Sequence, residues 1–98
     1  MLSTSDLLEV AKHRQGDVSD YRLAKLLGVP PTTVSNYRVG RSRPANSIAM
    51  RLGELAGLDP LEVVAWVNLE RASTDEDAKL WRLLLNRVES SRDLPLAA

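Results

Sequence analysis

Four glycines, Gly16, Gly28, Gly40 and Gly57, each stand just past a run of residues whose apolar members recur at helical spacing. A glycine in that position ends a helix, because a residue without Cβ enters the left-handed conformation at no steric cost. The chain is thereby divided into short helices, and the pattern is strand-free. Phe is absent and Trp and Tyr number only four, so a core must come from Leu, Val, Ala and Ile. That composition favours a helical bundle over a sandwich, and 98 residues suit one domain.

Some chemistries are excluded at once. No cysteine is present, which removes disulfides, a thiolate nucleophile and cysteine-ligated zinc. The apolar runs fall far short of the roughly 20 residues that span a bilayer, and residues 1–6 lack the cationic-then-apolar order of a signal peptide. A cytoplasmic protein without a membrane partner is expected.

Ser5 or Thr4 is the expected cap of a first helix, with Leu7, Leu8, Val10 and Ala11 on its apolar face and Gly16 at its end. Ser19 caps a short second helix from Asp20 to Leu27, in which Leu23, Ala24 and Leu27 share one side. After the link Gly28, Val29, Pro30, a third helix opens on Pro31, whose missing N–H has no intrahelical partner there anyway. It runs to about Arg38 or Val39. Beyond the loop Arg41, Ser42, Arg43, Pro44, a fourth helix starts at Asn46 or Ser47 and stops at Gly57. Asp59, Pro60 and Glu62 make the cap of a fifth, reaching about Arg71. Ser73 or Thr74, followed by Asp75, Glu76 and Asp77, opens a sixth that ends near Glu89, with its carboxylates where a helix start favours negative charge. The expected organisation is a core over residues 1–72, a C-terminal helix over 73–90 for packing or dimerisation, and a flexible tail over 91–98.

The formal charge is zero, but it is unevenly laid out. Between Tyr21 and Gly53 there is no acidic residue and there are six cations, Arg22, Lys25, Arg38, Arg41, Arg43 and Arg51. Up to Ala45 the chain has seven basic and four acidic residues (+3), and after it six and nine (−3). A near-neutral protein with one basic face meets a polyanion there.

The same stretch has the order that two closely crossing helices need. Ala24 is small at the crossing, Gly28 makes the turn, and Val34 locks the second helix, with Leu23, Leu27, Val29 and Tyr37 filling the inward positions. Thr32, Thr33, Ser35, Asn36 and Arg38 remain as an outward surface of hydrogen-bonding groups, none acidic. Asn36 has the amide geometry for a bidentate contact to adenine, while Thr32 and Thr33 offer a hydroxyl or a methyl. Each good base contact is worth about 1–3 kcal/mol of discrimination. Arg38, Arg41 and Arg43, with Ser35 beside them, suit phosphates.

Residues 20–40 resemble the helix-turn-helix of the lambda-repressor-like and Cro-like family. The run Val34, Ser35, Asn36, Tyr37, Arg38, Val39, Gly40, Arg41, Ser42, Arg43, Pro44 is similar to that family's recognition helix and following loop, and the likeness extends over about residues 4–70. In size and element order the chain also resembles short regulators encoded by phages and prophages. The resemblance implies an all-α, five-helix bundle with a sixth helix outside it. It also implies a third helix that enters the major groove amino end first while the second helix starts on a phosphate. Pro31, Thr32 and Asn36 fall where the family reads bases. Pro31 stands where a hydrogen-bonding residue such as Gln is common and offers only an apolar contact. Asp20 stands where Gln often reaches a phosphate, and its carboxylate is repelled there unless turned inward.

The functional expectation is a sequence-specific regulator of transcription, a repressor on family grounds, that binds double-stranded DNA at an inverted-repeat operator. Two copies can read half-sites about 34–36 Å apart, so a homodimer is expected. The apolar stripe of Trp81, Leu84, Leu85 and Val88 on the sixth helix is the expected interface. No cofactor, metal or small-molecule ligand is expected. The alternative is a helix-turn-helix used to hold another protein, as an antitoxin-like or inhibitor-like partner, to which zero net charge and Asp20 lend some weight. An enzyme is the weakest reading: His13 is the only histidine and has no nucleophile or metal partner near it in sequence.

Overall fold

Most of the helices start where a side chain can satisfy their first N–H groups, one starts on a proline that lacks an N–H, and each ends where a glycine or loop releases the chain. In a computed structural model describing residues 1–93, these signals yield six helices: α1 (Thr4–Arg14), α2 (Asp20–Leu27), α3 (Pro31–Arg38), α4 (Asn46–Ala56), α5 (Pro60–Arg71) and α6 (Asp75–Asp93). The described residues are all-helical outside turns and loops. Ser19 accepts from the Arg22 N–H at 3.1 Å and Asp59 from the Leu61 N–H at 3.0 Å. Thr74 accepts from the Asp77 N–H at 3.1 Å, opening α6. Gly28 and Gly57 close α2 and α4 at φ 77° and 70°, a conformation that an L side chain strains to adopt.

The first cap differs from expectation. Ser3, not Thr4 or Ser5, accepts from the Asp6 N–H at 3.1 Å. Thr4 is 1% exposed, and both its main-chain N–H and its hydroxyl donate to Glu70 Oε2 on α5. A tertiary bond therefore takes the side chain that local pattern assigned to capping. In α4, Ala45 precedes the helix without a side-chain cap, and Asn46 Oδ1 accepts instead from Asn68 Nδ2 at 2.7 Å.

Leu7, Leu8 and Ala11 of α1, Leu23, Ala24 and Leu27 of α2, and Val34 and Tyr37 of α3 meet Ala49, Leu52 and Ala56 of α4 and Val63 and Val67 of α5 in one core. The most extensive helix partnerships are α4 with α5, α5 with α6, and α1 with α4, and α2 with α3 is smaller. Among the described residues α6 contributes nothing to this core and packs on α5. It continues to Asp93, past the expected end near Glu89, so the first residues assigned to a tail are helical. The remainder of that tail, residues 94–98, lies outside the described residues.

Gly53 sits where α4 meets α5, and a Cβ added there would stand 2.9 Å from Pro60 Cα and 3.1 Å from a Val63 methyl. A main-chain neighbour cannot swing aside. The overpacking cost of roughly 1–3 kcal/mol outweighs the roughly 1 kcal/mol of helix propensity that Ala gains over Gly. Gly53→Ala is expected to lower unfolding stability by about 1 kcal/mol in urea titration; an equal or higher midpoint would show that the two helices are not in this close contact.

Candidate nucleic-acid interface

The surface of α3 is set by what its opposite side buries. Val34 is fully buried and Tyr37 is 6% exposed, and burial raises the Tyr37 phenol above its usual pKa despite nearby Arg71. Tyr37 is thus a neutral packing residue. With 3.6 residues per turn, that register leaves Pro31, Thr32 and Ser35 exposed together, with Thr33 and Asn36 half-buried beside them. No acidic side chain lies on α3.

Asn36 organises the exit of the helix. Its main-chain carbonyl accepts from the Arg41 N–H at 2.9 Å, and its side-chain oxygen accepts from Arg41 Nη1 at 3.0 Å. The oxygen retains a second lone pair and Nδ2 its two protons, so the amide can still meet a base edge.

The structure places Arg38 differently from the other cations. Its Nε donates to Asp20 Oδ2 at 2.9 Å and its Nη2 to Asp20 Oδ1 at 2.7 Å, while Nη1 lies 2.6 Å from Glu9 Oε1. Lys12 Nζ stands 3.0 Å from the same Asp20 oxygen. The Arg38 hydrogen bonds hold the Asp20 carboxyl below its ordinary value of 3.8, against partial burial, and Lys12 acts in the same direction. The bond to Asp20 correspondingly raises the Arg38 guanidinium. Arg38, expected on a phosphate rim, is engaged with two carboxylates, and Asp20 is turned onto partners within the protein.

The remaining cations divide by exposure. Arg22 and Lys25 on α2 and Arg41 after α3 face solvent, with Lys25 Nζ 4.7 Å from the Tyr21 ring centre. Arg51 Nη1 donates to the Leu27 carbonyl at 2.5 Å, bracing the α2 terminus from α4. Arg43 is half-buried: its Nη1 donates to Ser42 O at 3.5 Å, and its Nε, 3.9 Å from Glu70 Oε1, has no hydrogen-bond partner. Arg71 Nη2 donates to the Pro44 carbonyl at 2.5 Å, tying this loop to α5. Glu9, Glu70 and Arg71, none singled out by sequence pattern, thus position the basic segment. Their partners lie far away along the chain, which leaves no periodic signal to find them by.

The other candidates fall elsewhere. His13 is exposed and stands 2.9 Å from Asp17. No cluster of three or more metal-ligating side chains occurs among the described residues, and none of their helices is long and apolar enough to cross a membrane. On α6 the expected interface stripe is divided. Trp81, Leu85 and Val88 are half-buried with Ala78, whereas Leu84 is 42% exposed and shares an outer side with Leu80 and Leu83.

Over 70 residues, 65% of this chain and 74% of the relative, the sequence is 39% identical to a protein of Pseudoalteromonas phage PM2 described as "Uncharacterized protein Gp-c". The chain belongs to the Gp-c family. That description states no activity for the relative. No protein-family model matches the chain, and no solved structure matches it.

Since the folded-state pKa of Asp20 is lowered, its ion pairs stabilise the fold above the ordinary aspartate value, and the contribution disappears as pH falls through the folded value. Asp20→Asn is expected to melt below wild type at neutral pH, with the two curves converging as the buffer is taken beneath pH 3.8. A gap that persists in acid would show that the Asp20 charge is not what the change removes.

Proposed function

We propose that this member of the Gp-c family is a sequence-specific DNA-binding regulator whose α2, turn and α3 form a helix-turn-helix of the lambda-repressor-like arrangement. In this reading α3 enters the major groove, and two copies bind an inverted-repeat operator as a repressor. The observation that carries it is the neutralised start of α2: the one carboxylate there, Asp20, is held by Arg38 and Lys12. The adjacent surface of α3 has hydrogen-bonding groups and no negative charge. A major groove can accept such a surface, and a phosphate is not repelled from the helix beside it.

Roles follow from exposure. Pro31 and Thr32 lie at the leading end of α3, with Thr33 and Asn36 beside them, as the base-reading set. Ser35, Arg41 and the partly covered Arg43 serve phosphates together with Arg22 and Lys25. Arg38 acts at one remove, by cancelling Asp20 and fixing α3 against α2. The reading involves no catalytic step, cofactor or small-molecule ligand.

A helix-turn-helix devoted to another protein is the second reading, favoured by the outward leucines of α6 and zero net charge. Selection of bound fragments from random DNA separates the two. The regulator is expected to enrich an inverted repeat, and a protein-binding module to enrich nothing.

Two substitutions divide the roles within the interface. Arg41→Ala is expected to weaken binding alike on selected and random DNA and to flatten the salt dependence by about one unit per lost contact. Asn36→Ala is expected to cost about 1–3 kcal/mol on the selected site and little on random sequence. Electrophoretic shift titrations at several salt concentrations measure both, and equal losses for Asn36→Ala on both DNAs would remove it from base reading.

A further inference from the structure

The outward side of α6 is apolar without being covered. Leu80, Leu83 and Leu84 are 51%, 57% and 42% exposed, and with Asn86, Arg87 and Ser90 they line a shallow groove of about 420 Å³. Consecutive helical residues turn by about 100 degrees, so Glu76, Leu80, Leu83, Leu84 and Arg87 fall within one stripe. The stripe carries a carboxylate at its amino end and a guanidinium at its carboxyl end. Neither Glu76 nor Arg87 has an ion-pair partner among the described residues.

We propose that this stripe pairs with the same stripe of a second copy, α6 against α6, antiparallel about a twofold axis. Self-complementarity identifies the occupant. An antiparallel register that sets Leu80 opposite the partner's Leu83 also sets Glu76 opposite the partner's Arg87, and the twofold repeats both contacts. A parallel pairing sets carboxylate against carboxylate and guanidinium against guanidinium, which opposes association. The charges therefore select orientation while the leucines supply the apolar area. The half-buried Trp81, Leu85 and Val88 hold α6 on α5, so a rigid element carries the contact to the DNA-binding core. The inference deepens the twofold pairing in the proposed function and rests on that reading, but it concerns the protein without DNA.

Sedimentation of the DNA-free protein tests it directly. Wild type is expected to be a dimer. Leu83→Asp, at an exposed position, is expected to raise the dimer dissociation constant at least about tenfold with unchanged helical circular dichroism. Glu76→Arg and Arg87→Glu are each expected to weaken the dimer by about threefold to tenfold, because each places like charges at both symmetric contacts. The double variant carrying both changes restores opposite charges in the antiparallel register, and is expected to return to within about threefold of wild type. That recovery runs against the helix dipole at the start of α6, where an arginine replaces Glu76. A wild-type monomer at high micromolar concentration overturns the proposal, as does undiminished dimerisation of Leu83→Asp. A double variant as weak as the singles overturns the antiparallel register. Fragment selection is read separately: enrichment of single half-sites by a monomer would leave DNA binding standing and remove only the α6 interface.

Discussion

A guanidinium that is mostly covered by protein must find acceptors in fixed directions, and Arg38 finds them on two other helices. Its three nitrogens reach Asp20 at the start of α2 and Glu9 in the middle of α1, so the planar group joins α1, α2 and α3. Lys12 completes a set of two cations and two carboxylates. The bidentate geometry adds direction to the attraction, which a flexible ammonium in the same place would not. Through this cluster the amino end of α2 changes from an isolated negative charge into a locally neutral surface, and the polar side of α3 beside it is left without an opposing field.

A second set of polar contacts performs the corresponding task for the segment after α3. Glu70 accepts from the Thr4 N–H and hydroxyl and lies near Arg43, while Arg71 donates to the Pro44 carbonyl. The loop that bears Arg41 and Arg43 is consequently tied to α5 and, through Glu70, to the beginning of α1. Pro44 itself is fully buried. A basic loop held at both ends presents its charges in a limited set of arrangements, which lowers the entropy lost when those charges are ordered. α6 stands outside both sets, on α5, where one side supports the core domain and the other remains open to solvent.

Much of the fold was legible along the chain because its signals are local. The bounds of α2, α3 and α5 follow from Ser19, Pro31 and Asp59 at their starts and from Gly28 at the end of α2. Leu23, Ala24, Leu27, Val34 and Tyr37 lie inward as their spacing implies. The misplaced cap of α1 has a nonlocal cause: Glu70, sixty-six positions away, binds Thr4. For α6 the sequence shows more apolar residues than one side of a helix can bury. Spacing marks Trp81, Leu84, Leu85 and Val88 as a stripe without stating which of them a neighbouring helix will cover.

Caps, glycine stops and 3.6-residue periodicity act within a few residues, so the all-helical character, the division into short helices and the acid-free polar surface of α3 can be read along the chain. Which charges remain available depends on how the helices pack against one another. Arg38 and Arg41 are equivalent cations in the sequence, yet one is held by Glu9 and Asp20 and the other faces solvent. The same holds on α6, where packing on α5 separates Leu85 from Leu83 and Leu84. Pairing and burial are properties of neighbours in space, and composition carries no record of them.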